Sequence, residues 1–259
     1  MEKISNIDSR ELFPNASPGQ PEVFVCLLCQ DTGWIIQGDS AAPCSCRHQR
    51  RLSDLRRRSG LSPALSRHRL EKFELRYYPE YLRVVENGKT HRQLAQQALA
   101  AAKNFAAGIR QGLPVRSLLF EGEVGRGKTY LAAAIANALL DAGIDVLFLV
   151  VPEFLDEMRY SYQEDNQDYS EADLMPRAQK APVLILDDFG AHNFSEWTKN
   201  KIFTLINYRL NHQLPIIITT NKSIDSLAET IGSRTVSRIV EMCDFFLLCS
   251  KDDLRRIIK

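Results

Sequence analysis

The sequence predicts an α/β fold, a parallel five-stranded sheet with helices on both faces, preceded by a small cysteine-rich module. Three observations carry this. Five short apolar runs, at 117–120, 146–151, 183–186, 216–219 and 245–248, alternate with helical stretches, and strands separated by helices pack as a parallel sheet covered on both sides. The first run leads straight into a glycine-rich loop. Four of the six cysteines lie ahead of all of this, between positions 26 and 46.

Composition narrows the classes. The chain has 259 residues, 44% hydrophobic and 25% charged, which excludes a largely disordered or collagenous protein. Basic and acidic residues nearly balance, 33 against 32, so only local patches speak of partners. No apolar run approaches the roughly 18 residues of a membrane helix. The polar start, MEKISNIDSRELF, lacks a signal peptide's apolar stretch. A cytoplasmic protein with reduced or metal-bound cysteines is expected, and with it no use of the sequons at Asn15, Asn193 and Asn221.

Taken in order, residues 1 to about 25 read as a flexible leader punctuated by Pro14, Pro18, Gly19 and Pro21. Cys26-x-x-Cys29 and Cys44-x-Cys46 then form two close pairs of thiols, a set suited to tetrahedral Zn²⁺, with His48 as an alternative ligand. Trp34, Ile35 and Ile36 either form an exposed apolar contact or pack beneath the metal. Between Arg47 and Lys72 nine basic residues face two acidic ones. That run is either a solvated helix face or a contact for a phosphate backbone or an acidic partner. The module is expected to span 1–75 and the sheet domain 76–259.

The second region opens with a helix over 91–110, where Leu94, Ala98, Ala101, Ala102, Phe105 and Ile109 recur near helical spacing; Gly112 and Pro114 end it. After the first strand comes Gly122-Glu123-Val124-Gly125-Arg126-Gly127-Lys128-Thr129, a full match to G-x-x-x-x-G-K-[ST], with a helix from Tyr130 onward. Glycines let the backbone wrap an anion, and the helix N-terminus adds partial positive charge. Lys128 is expected at the β- and γ-phosphates and Thr129 on Mg²⁺. The strand 183–186 delivers Asp187 and Asp188 to the sheet's carboxyl edge, Asp187 on the Mg²⁺ side and Asp188 toward the attacking water. Cys243 and Cys249 flank the last strand as inert packing residues.

The set GEVGRGKT, VLILDDFG, ITTN and SRTVSRIVEMC resembles the DnaC/DnaI helicase-loader branch of the AAA+ ATPases, with the IstB-type transposition helpers as close relatives. The resemblance covers roughly residues 90 to 259. It implies that Lys128 and Thr129 are the Walker A pair, and that Asp187 and Asp188 are the Walker B pair. It further implies that Asn221 is the sensor that orients water, and that Arg238 is an arginine finger supplied to a neighbouring subunit. Arg255 would be a nucleotide-sensing arginine. Tyr130 and the whole loop 122–129 would bind nucleotide. The short stretch after the last strand leaves no room for a C-terminal helical lid.

The implied function is ATP-dependent loading of a hexameric replicative helicase onto single-stranded DNA, with residues 1–75 gripping the helicase. Hydrolysis would be slow and assembly-dependent, with ATP, Mg²⁺ and Zn²⁺ as cofactors. The alternative is an IstB-type transposition helper that binds duplex DNA and a transposase. A small-molecule kinase with a lid over 156–180, and a zinc adaptor that never turns over ATP, fit less of the pattern.

Overall fold

The computed structural model describes residues 24–257 other than 39, 86–87, 161–170 and 192–193. The expected leader, the sequons at Asn15 and Asn193, and the middle of the 156–180 stretch lie outside the described residues. The chain divides into two units, 1–50 and 51–259.

In the first unit, β1 (Trp34–Gln37) and β2 (Ser40–Pro43) form an antiparallel hairpin that the sequence reading did not anticipate, with Trp34 opposite Pro43 and Ile36 opposite Ala41. A helix, α1 (Cys46–Arg58), follows it. Alternation along β1 turns Ile35 onto the cysteine cluster, while Ile36 is exposed and Trp34 half-exposed. Ile35 thus packs on the cysteines, and Trp34 and Ile36 do not.

The second unit contains α2 (His91–Arg110), β3 (Ser117–Glu121), α3 (Lys128–Asp141), β4 (Val146–Val150), α4 (Val151–Tyr160) and α5 (Glu171–Lys180). It continues with β5 (Val183–Asp187), α6 (Glu196–Asn211), β6 (Ile216–Thr220), α7 (Ile224–Ile231), α8 (Ser233–Met242), β7 (Cys243–Leu247) and the short α9 (Leu254–Ile257). The sheet is parallel throughout, in the order β4-β5-β6-β3-β7. Helix starts follow side-chain chemistry. Thr90 and Gln93 close a capping box on α2, and Ser195 and Ser223 cap α6 and α7.

Strand alternation splits the core into two layers. Leu118, Phe120, Ile185 and Ile217 face α2 and α3, whose Leu131, Ile135 and Leu139 are fully buried. Leu119, Leu184, Leu186, Ile216 and Ile218 face the other layer, with Phe154, Ile202, Leu205 and Ile239. The last strand begins two residues earlier than expected. Cys243, far from flanking the strand, is its first residue, buried opposite Ser117.

The unit boundary also lies nearer the N-terminus than 75. Leu55, Leu70 and Phe73 are buried in the sheet unit's own core. Asn137 on α3 donates from Nδ2 to the carbonyls of Leu65 (2.9 Å) and His68 (3.1 Å), sewing the segment 65–78 onto that helix. Just after α1, the Phe148 N–H donates to Ser59 O (2.7 Å), so this chain segment occupies the outer edge of β4. One buried cation ties the far layer together. Arg209 donates through Nη1 to the carbonyls of Ala178, Gln179 and Ala181 and through Nη2 to Pro215 O (2.8–3.0 Å), and its burial brings it down to about 10.

Candidate nucleotide and metal sites

The loop 122–127 joins β3 to α3 at the carboxyl edge of the sheet. Its backbone needs glycine. Gly125 and Gly127 have φ of 74° and 89°, and a Cβ would sit 1.9 Å from Asp253 Oδ1 at the first and 2.6 Å from Tyr78 Oη at the second. The loop is held from two sides. Leu254 N–H donates to Gly125 O (2.9 Å) and Tyr78 Oη to Arg126 O (2.9 Å). Arg126 reaches Ser250 Oγ (3.0 Å) and pairs with Glu123. Val124 is half exposed at the loop's tip.

Lys128 is buried and donates from Nζ to the carbonyls of Gly122 and Glu123, both at 2.7 Å. Burial lowers its proton affinity; Asp188 and Asp187 oppose this, while Arg255 and Arg126 add to it. Thr129 Oγ1 donates to Asp187 Oδ1 (2.9 Å), and so does Thr219 Oγ1 (2.6 Å). Burial raises the Asp187 carboxyl above the usual range, and those two hydroxyls counteract it. A hydroxyl beside a buried carboxylate at a helix N-terminus under a phosphate loop is a donor set that fits Mg²⁺ with a nucleoside triphosphate.

Asp188 stands at the turn, exposed, with φ of 58°, a left-handed conformation that Asp tolerates better than most residues. Its N–H donates to Thr219 Oγ1 (3.0 Å). Thr219 therefore orders both acids, a part the sequence reading missed although ITTN contained it. Gly122 N–H donates to Thr220 O (3.2 Å), which ties the loop to the strand end just before Asn221. Tyr130 Oη donates to Arg69 O (3.1 Å), and its ring stacks on His68 at 4.3 Å. Tyr78 and Phe73 stack beside it and had no motif to announce them. Arg255 is exposed on α9, next to the Leu254 bond that holds the loop. Arg238 stands apart. It pairs with Glu241 on α8 (3.0 Å) and makes no contact with the loop of its own chain among the described residues.

In the first unit the four ligand atoms of Cys26, Cys29, Cys44 and Cys46 lie within 4.8 Å of one another. Cys26 and Cys44 are 3.8 Å apart at sulfur, and Cys29 and Cys46 3.3 Å. Tetrahedral zinc, at about 2.3 Å from each thiolate, spaces sulfurs by about 3.8 Å. The Gly33 N–H donates to Cys29 Sγ (3.3 Å). Burial opposes ionisation of Cys29, yet hydrogen bonds from Cys46 and Gly33 bring it down to about 7. Asp31 accepts the N–H groups of Val25 and Cys26 (3.0 Å each) and pairs with Arg50, fixing the turn. The donor set fits zinc, and His48 is exposed and outside it.

The profile of the family described as IstB-like ATP binding protein matches residues 44–242. The chain is 33% identical over 113 residues to the replicative helicase loader DnaI of Bacillus subtilis (strain 168), covering 43% of this chain and 35% of that protein. It is 27% identical over 154 residues to the replicative helicase loader DnaC of Escherichia coli (strain K12), covering 60% and 61%. The match thus spans about a third of the one relative and three-fifths of the other. A crystal structure of DnaI superposes with a TM-score of 0.59 at 25% identity, covering 76% of this chain and 95% of that one.

Proposed function

This chain belongs to the IstB-like ATP binding protein family, and we propose that it is a cytoplasmic, ATP-dependent loader that binds the replicative helicase hexamer and places it on single-stranded DNA in replication initiation. The observation that carries the reading is the Thr129–Asp187 hydrogen bond beneath the phosphate loop, in a chain similar to proteins named helicase loaders. Glycine-loop N–H groups and the α3 N-terminus receive the phosphates, and Lys128 exchanges its carbonyl partners for phosphate oxygens. Thr129 and Asp187 would hold Mg²⁺, which would supply charge neutralisation to the phosphates when bound. Asp188, exposed one residue further, polarises the attacking water, and Asn221 orients it. Arg238, paired with Glu241 on α8, serves a neighbouring copy, so hydrolysis depends on assembly. Arg255 reports the nucleotide through the loop contact of α9. The zinc module and the segment up to 75 grip the helicase.

Mass photometry of the chain with its host's replicative helicase, with and without ATP, tests this. A discrete complex, lost on removing residues 1–75, is the expected result. The family's name favours a second reading, a transposition helper. No complex at micromolar concentration, together with ATP-dependent filaments on duplex DNA, would replace the loader by that helper.

A further inference from the structure

The sheet unit carries a cleft of about 400 Å³ at the amino ends of β4 and β5. The phosphate loop lies at the other end of the strands. Arg58, Arg177 and Lys180 line the cleft, and Asp145 is the one acid there. The three cations are exposed and have no acidic partner among the described residues. Arg177 donates instead to the Arg58 carbonyl, which fixes its guanidinium at the cleft wall without neutralising it. Cations in a helix's last turn ordinarily answer the partial negative charge of its carbonyls, as Arg177 and Lys180 would in α5. Here that charge is already met from inside. Arg209, wholly buried, takes the carbonyls of Ala178, Gln179 and Ala181, the last of these a residue of the cleft wall. It too lacks an acidic partner among the described residues, and its Nε has no hydrogen-bond partner.

We propose that this cleft is a second phosphate site, for a small phosphate-bearing ligand, separate from the nucleotide site. Arg58, Arg177 and Lys180 surround the phosphate group, and Val146, Pro176 and Pro182 offer an apolar wall to whatever the phosphate carries. The volume lies in the range of small-ligand sites. A nucleic-acid backbone calls for cations spread along a groove, whereas these meet in one hollow. A bound anion would also offset the charge of Arg209, which burial without a carboxylate leaves costly. The site goes beyond the loader reading and stands or falls without it.

Isothermal titration of the full chain carrying Lys128→Ala, which silences the phosphate loop, tests it with two probes, inorganic pyrophosphate and uridine monophosphate. One site is expected. Tighter binding of pyrophosphate assigns the cleft to an inorganic ligand, and tighter binding of the nucleotide assigns it to an organic phosphate lying on the apolar wall. Adding Arg58→Glu with Lys180→Glu should weaken binding at least about a hundredfold, as losing two charge-assisted contacts implies. Asp145→Asn should tighten it a few fold, a gain that misfolding cannot mimic. Thermal melting checks that each variant folds. No heat from either probe at millimolar concentration overturns the proposal, and so does binding that the charge-reversed chain retains. Displacement of both probes by oligo-dT at equal phosphate concentration also overturns it, by giving the cations to nucleic acid. Helicase-complex formation by the Arg58→Glu, Lys180→Glu chain, with Lys128 in place, reads the loader function separately.

Discussion

The two units solve the same problem with different means. The sheet unit buries two apolar layers, with side chains such as Phe120, Leu139 and Ile218 wholly enclosed. The zinc unit encloses little beyond Cys29, Cys44 and Cys46, with Ile35 leaning on them, while Val25, Leu27 and Leu28 stay exposed. Where too few apolar side chains exist to outweigh chain entropy, a metal held by the four thiols would take over the work of packing. The difference also fixes which atoms each unit can spare. The sheet unit keeps its polar groups at the strand ends for chemistry. The cysteine unit leaves apolar groups such as Val25, Leu27 and Leu28 outside.

The strongest way to break this contrast is to remove the metal. Chelation, or Cys44→Ser, should abolish the fold of the first unit, since structural zinc contributes on the order of 10 kcal/mol to such modules. The thermal transition of the sheet unit, followed by calorimetry, should stay in place. If both transitions collapse together, the units are not separately held.

Next in size is the nucleotide site. Lys128→Ala should lower ATP affinity by about a hundredfold or more, as expected for losing a charge-assisted contact to phosphate. The melting temperature without nucleotide should barely change, because Lys128 packs on loop carbonyls and not in either apolar layer. Binding by isothermal calorimetry and melting by circular dichroism read the two quantities separately.

A smaller effect sharpens where the sheet unit begins. Asn137→Ala removes the donor to the Leu65 and His68 carbonyls and should cost about 1–3 kcal/mol in denaturant unfolding. Backbone amides of 65–78 should exchange faster with it. A neutral result would return that segment to the zinc unit.

The mildest effects come from pH. The raised Asp187 carboxyl must lose its proton to hold Mg²⁺, so Mg²⁺-dependent nucleotide binding should fade with falling pH earlier than for an ordinary aspartate. His68 is the opposite kind of case. Burial, then Arg69, lower its folded pKa. The unfolded chain thus takes up the proton first, and stability is complete above about 6.5 and declines as pH falls below it. His68→Gln should remove that part of the acid slope in a pH series of melting temperatures.

Much of this was legible in the sequence, for reasons that differ by element. The inner strands β5 and β6 announce themselves as unbroken apolar runs because both faces are covered. The phosphate loop and the four thiols are readable because their chemistry fixes residue type and spacing. The β1–β2 hairpin was missed, since Ser40–Pro43 carries no alternation of apolar and polar residues. Tyr78 and Thr219 were missed as loop and acid partners because their bonds span 48 and 32 residues of chain. The attachment of 65–78 to α3 was not legible for the same reason, its anchors being hydrogen bonds that span about 70 residues of chain. Arg238 was legible as a residue but not in its present pairing with Glu241, which is a matter of a neighbour three positions on.

The bond between Ser59 and Phe148 has a consequence for how copies of this protein can stick together. A bare border strand invites any passing extended chain to lengthen the sheet. Here the backbone leaving α1 already takes that place at β4, and a Cβ on Gly60 would lie only 2.4 Å from the Phe148 carbonyl oxygen. An intruding chain would first have to peel this segment away. The backbone just after α1 therefore doubles as a guard against fibril-like stacking on that side.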